Sequence, residues 1–171
     1  MENNIEYNIY DKINIYLTGY GPFSTIKENP AEKISSYIFK NNSKFNTQHT
    51  SILYNQIFDV KTDYVDLHIL KLFQFIKNFQ KEQNILNVII SLGVAENRKV
   101  NTLETKAKNY IFDGTIDEKI DEKKAEYYLS KNPVKKIIKA IQSFKNSECK
   151  FSNDAGTYLC NYMYFPTLTK C

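Results

Sequence analysis

Cys160 is the residue whose surroundings point most directly to chemistry. It lies about one turn into an expected helix, just after the turn-rich stretch Ser152-Asn153-Asp154-Ala155-Gly156. Amide N–H groups and the dipole at a helix start favour the thiolate, the form of sulfur that attacks a carbonyl carbon. A free cysteine is more commonly a small buried hydrophobe, so this placement alone does not make a nucleophile. A reacting thiol also needs a base, and the two histidines, His49 and His68, both stand far upstream. Cys149 and Cys171 read as strand packing and a loose tail. Three cysteines, an odd number, with no secretory start at Met1-Glu2-Asn3-Asn4, suggest reduced thiols in a cytoplasmic protein. Neither histidine neighbours a cysteine and no Cys-x-x-Cys occurs, so no metal site is implied.

A scaffold has to hold such a thiol, and the chain is long enough for one core. Its 171 residues are 42% hydrophobic, 14% aromatic and 25% charged, which fits a single domain over 1–171. The net charge of +4 is scattered among acids, so nucleic acid is not suggested, and no apolar run is long enough for a membrane span.

Ile13, Ile15 and Leu17 alternate on a buried strand that stops at Thr18-Gly19-Tyr20-Gly21-Pro22. Asn29-Pro30 then offers a helix cap, with Ala31, Ile34, Tyr37 and Ile38 on one face. A second strand is expected at 47–54, and Val65, Ile69, Leu72, Phe73, Ile76 and Phe79 make a helical stripe of core residues. The apolar run 87–92 reads as a central strand covered on both faces. Residues 100–112 are ambiguous between strand and loop, 113–125 are polar, and Pro133 opens a helix with Val134, Ile137, Ile138 and Ile141. A short strand at 149–152 and a last helix from 157 or 158 complete the pattern, with Phe165-Pro166 expected to break that helix early. The result is an α/β chain, a single three-layer α/β/α sandwich on a mostly parallel or mixed twisted sheet. Ligands collect beyond the carboxyl ends of such strands, which singles out the loops at 19–29, 93–104 and 152–160.

All three loops carry longer patterns. Ser152-Asn153-Asp154-Ala155-Gly156-Thr157-Tyr158-Leu159-Cys160-Asn161 resembles the cysteine active-site motif of the pyroglutamyl-peptidase I family, with all its specified positions met. The stretch from Gly93 to Asn109 is similar to the family's glutamate motif, with Gly93, Thr102, Glu104, Ala107 and Asn109 fitting and Arg98 where the family often has arginine. Leu17-Thr18-Gly19-Tyr20-Gly21-Pro22-Phe23 with Asn29-Pro30 resembles the family's N-terminal motif, and Pro133-Val134-Lys135 its Leu-Pro-Ile-Lys helix start.

The resemblance implies a cysteine exopeptidase that removes N-terminal pyroglutamate from peptides through a Cys, His, Glu triad on an α/β sandwich, with no cofactor. Cys160 would be the nucleophile and Glu104 the triad acid, while Tyr20, Phe23, Tyr158 and Leu159 match pocket positions. Its partners would be peptide substrates, and homo-oligomers would fit a family whose members are often oligomeric. The departures are specific. No histidine follows Cys160, Glu96-Asn97 replaces a small pair, Lys106 replaces an aliphatic residue, and residues 110–117 lack the family's arginine. The preferred expectation is a peptidase lacking the family's C-terminal strand and helix. The alternatives are a catalytically inactive, pocket-bearing binding protein, and an unrelated α/β domain with a structural cysteine.

Overall fold

The computed structural model describes residues 10–79, 84–144 and 147–170. Its strands and helices gather into two compact units, 1–94 and 95–171. In the first, strand β1 (Lys12–Tyr20) lies between β2 (Thr50–Phe58) and β3 (Ile85–Ser91), both parallel to it. Every residue from Tyr16 to Tyr20 is buried, so β1 is covered on both faces. Two expectations are corrected here. The second strand runs later than 47–54. The apolar run 87–92 is not the central strand: it pairs only with β1 among the described residues, and Ile90 and Ser91 are exposed. An apolar run does not rank strands when polar neighbours satisfy one another. Tyr16 donates its hydroxyl to Asn87 Oδ1 at 2.8 Å and Thr18 donates to Ser91 Oγ at 3.0 Å, which lets the more polar strand take the middle.

Helix α1 (Pro30–Lys40) starts as the Asn-Pro pair predicts, with the Ala31 N–H donating to Asn29 Oδ1 at 2.9 Å. Its buried face differs from the expected one. Ile34 and Tyr37 are 51% and 56% exposed, while Ala31 and Ser35 are buried. The cause is Gly19, where a β-carbon would come within 2.8 Å of the Ala31 carbonyl oxygen and of Ser35 Oγ. Backbones approach so closely there that only small side chains fit between them. Helix α2 (Thr62–Phe79) keeps the expected stripe: Val65, Ile69, Leu72 and Ile76 are each 5% exposed or less. Each such burial is worth about 1.5–3 kcal/mol. The side chain of Phe79 lies outside the described residues.

The ambiguous stretch 100–112 contains three strands, β4 (Asn101–Glu104), β5 (Lys106–Lys108) and β6 (Ile111–Phe112). The polar stretch after it holds β7 (Asp117–Glu118), antiparallel to β6, and β8 (Tyr127–Leu129) runs antiparallel to β5. Helix α3 (Val134–Gln142) follows Pro133, and β9 (Cys149–Ser152) falls where expected and pairs in parallel with β4. Helix α4 (Leu159–Lys170) corrects the last expectation, since it continues through Pro166. Proline removes one intrahelical donor, but the neighbouring face is deeply held. Met163 and Phe165 are 1% and 2% exposed, and Phe165 meets the Tyr128 ring edge-on at 5.5 Å. Just past the break, the Thr167 hydroxyl donates to the Met163 carbonyl at 2.9 Å. The predominance of parallel pairing, with helices between strands, is that of an α/β protein.

Candidate active site

Glu104 ends β4, Ser152 ends β9, and the parallel register sets them side by side. The Thr105 N–H and hydroxyl both donate to the Ser152 carbonyl at 2.8 Å, which ties the two strand ends together. The chain then turns towards α4. Ser152 Oγ accepts from the Asp154 N–H at 3.1 Å, and Asp154 Oδ1 accepts from the Gly156 N–H at 3.0 Å. Gly156 takes a φ of +77°, a left-handed conformation that a β-carbon disfavours. The Tyr158 carbonyl accepts from the Tyr162 N–H at 3.0 Å, so Cys160 stands in the first turn of α4, half-buried. Cys149 is 3% exposed in β9, and Cys171 lies outside the described residues.

Asn161, fully buried next to the cysteine, stitches this turn to the strands. Its Oδ1 accepts from the Lys108 N–H at 2.8 Å, and its amide donates to the Lys108 and Tyr110 carbonyls at 2.9 and 2.8 Å. Tyr164 donates its hydroxyl to the Glu104 carbonyl at 2.8 Å. Four residues along a helix span about 6 Å on one face, so Cys160 stands one turn from a side chain bonded to Glu104. Burial pushes the Tyr164 hydroxyl above its ordinary pKa, against an opposing hydrogen bond with Ser130 and with a smaller addition from the Glu104 charge.

Arg98 gathers the other side. Its guanidinium pairs with Glu104 Oε1, donates to Thr102 Oγ1 at 2.5 Å, and donates to the Asp154 carbonyl at 2.5 Å. Lys108 reaches the same residue at its carboxylate, 2.8 Å away. That ammonium, together with the Gly156 N–H, holds the Asp154 carboxyl below the usual carboxylate range. Lys106, the unexpected substitute for an aliphatic residue, lies over the Tyr127 ring at 5.5 Å from its centroid.

Of the six residues singled out in the sequence, the unit 95–171 brings together Glu104, Tyr158, Leu159 and Cys160. Tyr158 is 37% exposed and Leu159 1%. Burial raises the Tyr158 pKa, with Asp113 and Cys160 adding to it. Tyr20 and Phe23 belong to 1–94, where the Tyr20 ring packs 5.6 Å from Phe58 and half-buried Phe23 bridges to Ile26. The two histidines stand in that unit too. His49 is exposed with Nδ1 3.0 Å from the Asp11 carbonyl, and the His68 ring lies 5.6 Å from Phe58. Burial and Lys71 lower the His68 pKa, against an opposing pull from Asp59. The sequence reading gave no role to Lys108, Asn161 or Tyr164. Arg98, Lys108 and Asn161 lay inside quoted motifs, and Tyr164 sits at the helical spacing of four from Cys160. Among the described residues no three His, Cys, Asp or Glu side chains group as metal ligands, and no helix is long and apolar enough to cross a membrane.

The profile of the family described as pyroglutamyl peptidase matches residues 13–171. The chain belongs to the pyroglutamyl peptidase family. Among curated proteins it is similar to the pyrrolidone-carboxylate peptidase of Thermococcus litoralis, 29% identical over 162 residues, 90% of this chain and 67% of that one. The pyrrolidone-carboxylate peptidase of Finegoldia magna is 32% identical over 162 residues, 90% of this chain and 68% of its own. Of solved structures, the pyrrolidone carboxyl peptidase from Thermococcus litoralis superposes with a TM-score of 0.74 at 28% identity, covering 92% of this chain and 69% of that one. The pyrrolidone carboxyl peptidase from Pyrococcus furiosus gives 0.75 at 26%, covering 91% and 72%. The matched span of this pyroglutamyl-peptidase family chain contains Glu104, Cys160 and every motif residue around them.

Proposed function

We propose that this chain is a cysteine peptidase that removes N-terminal pyroglutamate from peptides, with Cys160 as nucleophile and Glu104 as the acid that orients a general base. The supporting observation is the 2.8 Å bond from Tyr164 to Glu104, which ties the helix carrying the thiol to the strand carrying the acid. In the reaction the Cys160 thiolate adds to the pyroglutamyl carbonyl carbon, and the C–N bond breaks as the departing amine takes up a proton. Water then cleaves the thioester and releases pyroglutamate with the thiol restored. Backbone N–H groups are the proposed oxyanion donors. The uncharged lactam calls for apolar walls, a role proposed within 95–171 for Tyr158 and Leu159.

Residues 95–171 hold no histidine, so this unit supplies no imidazole base for the Cys160 thiol. The same observation, with Arg98 already on Glu104 Oε1, favours a second reading: a protein that binds pyroglutamyl ends without cleaving them. The two are separated by measuring hydrolysis of a pyroglutamyl anilide, with and without added imidazole as an external base. Release of the amine that rises with imidazole and is lost in Cys160→Ala supports the peptidase. Saturable binding of pyroglutamyl peptides without release supports the second reading. Neither binding nor release contradicts both.

A further inference from the structure

Glu104 is engaged unequally at its two oxygens. Oε1 takes the Arg98 guanidinium and lies 3.4 Å from the Thr102 hydroxyl, while Oε2 is buried without a hydrogen-bond partner among the described residues. A buried carboxylate oxygen left in this way is costly unless a donor meets it at some stage. The guanidinium that holds Oε1 also reaches 56 residues along the chain to the Asp154 carbonyl, inside the turn that leads to Cys160. One planar fork therefore touches the acid and the nucleophile's turn. Arginine suits this, because its donors diverge in a fixed plane, whereas an ammonium is a single point. Lys108 grips the Asp154 carboxylate, so the turn is held at its carbonyl by one cation and at its side chain by another.

We propose that Arg98 is a positioning residue: it locks the Glu104 carboxylate and the 152–158 turn into one rigid piece, leaving Oε2 to face an incoming N–H donor and fixing where the Cys160 thiol stands relative to it. This rests on the peptidase reading for its use, but its geometry does not. Arg98 itself touches no reacting atom. Its second effect is electrostatic, since it cancels the Glu104 charge next to the helix that bears the thiol. Removing the guanidinium leaves a bare carboxylate there and disfavours the thiolate; removing the carboxylate leaves a bare guanidinium and favours it.

The test is the pH profile of Cys160 alkylation by iodoacetamide in the full 171-residue chain, followed by mass spectrometry. Thermal unfolding of each variant accompanies it. Arg98→Gln is expected to move the midpoint upward and slow labelling at pH 7 by about three- to tenfold. Glu104→Gln is expected to move it downward, and the double variant to return near the parent. Arg98→Lys, which keeps the charge and loses the fork, should keep the midpoint. The other charged and titratable groups named around this piece, Asp113, Asp154, Lys108, Tyr158 and Tyr164, stay constant across the series. Opposite shifts that cancel in the double variant are the expected result. No shift in either single variant, or equal shifts of one sign that merely follow loss of stability, would overturn the proposal. Should Arg98→Gln not fold, Arg98→Lys decides it through amide hydrogen exchange of the 152–158 turn, which should speed up several-fold when the fork is lost; unchanged protection of that turn would overturn the proposal.

Iodoacetamide needs no substrate pocket, so this outcome is independent of the peptidase reading. A pyroglutamyl chloromethyl ketone run in parallel separates them. Arg98→Gln should lower its maximal alkylation rate while leaving its half-saturating concentration unchanged. Cancelling shifts with iodoacetamide and no saturation with the chloromethyl ketone would keep Arg98 as a positioning residue and reject the substrate.

Discussion

Two fully buried asparagines close two loops of this chain, and they do it over different distances. Asn29 works locally: its amide donates to the Gly21 carbonyl at 2.9 Å, eight residues back, and its Oδ1 caps α1 through the Ala31 N–H. Asn161 works at long range, exchanging three hydrogen bonds with Lys108 and Tyr110, 51 to 53 residues earlier. The first residue shapes a loop from within. The second fastens a helix to strands that arrive from elsewhere, and it stands next to the cysteine. The asparagine beside Cys160 therefore joins distant segments, whereas the one at the end of the 19–29 loop closes its own loop, which is also tied to β2 by the Gly21 N–H donating to the Phe58 carbonyl at 2.9 Å.

The largest effect expected from this contrast is at Asn161. Asn161→Ala strands the Lys108 N–H and two carbonyls and should cost about 3 kcal/mol or more in denaturant unfolding, with faster, less selective alkylation of Cys160. A loss below about 1 kcal/mol would break the contrast, because it would make the long-range bonds dispensable. Asn29→Ala should cost about 2 kcal/mol, combining a lost cap with an unpaired Gly21 carbonyl, and Asn29→Ser should recover the cap share alone. Gly156→Ala should cost about 1–2 kcal/mol through its left-handed backbone, since nothing stands within 4 Å of the added carbon. Labelling of Cys160 should change with it while Cys149, buried in β9, stays slow.

The smallest effect is a pH dependence that sharpens the same contrast. The His68 pKa is lowered in the folded chain, so protonation is easier in the unfolded state. Its contribution is present above the ordinary histidine pKa of about 6.5 and is lost as pH falls through the lower folded value. Asp154 is also lowered, but its contribution is lost only below the ordinary carboxylate range, and its side chain is 59% exposed and so screened. Between pH 7 and 5, stability should fall through His68 in the 1–94 unit and not through the turn before Cys160. Thermal unfolding at the two pH values should show a smaller drop in His68→Leu than in the parent; an equal drop would contradict this assignment.

What the sequence made legible follows the same division between near and far. The Asn29-Pro30 cap, the α2 stripe and strand β9 are set by neighbours, and each appears where its pattern placed it. The buried face of α1 was not legible, because Gly19, a residue of another element, selects Ala31 and Ser35 over Ile34 and Tyr37. The rank of β1 above β3 depends on polar pairs between strands, which periodicity does not register. Around Cys160 the motif supplied the residues and the helix start, but Arg98, Lys108 and Tyr164 owe their places to the return of the chain after 40 residues or more, as the 46-, 56- and 60-residue separations of Lys108–Asp154, Arg98–Asp154 and Tyr164–Glu104 show. The helix survived Pro166 for a related reason, since the burial of Met163 and Phe165 outweighs one lost donor.

The central claim is that Cys160 is the thiol of a pyroglutamyl-recognising site. Its most direct test is incubation of the 171-residue protein with limiting pyroglutamyl chloromethyl ketone, which forms an S–C bond and releases chloride without needing a proton shuttle, followed by peptide mass spectrometry. The account predicts one equivalent of label on Cys160, saturating with reagent, slowed by 2-pyrrolidone as a competing lactam and much faster than an acetyl-alanyl chloromethyl ketone of similar reactivity. Label spread over Cys149 and Cys160 alike, or a rate at Cys160 indifferent to both the lactam ring and the competitor, would contradict it.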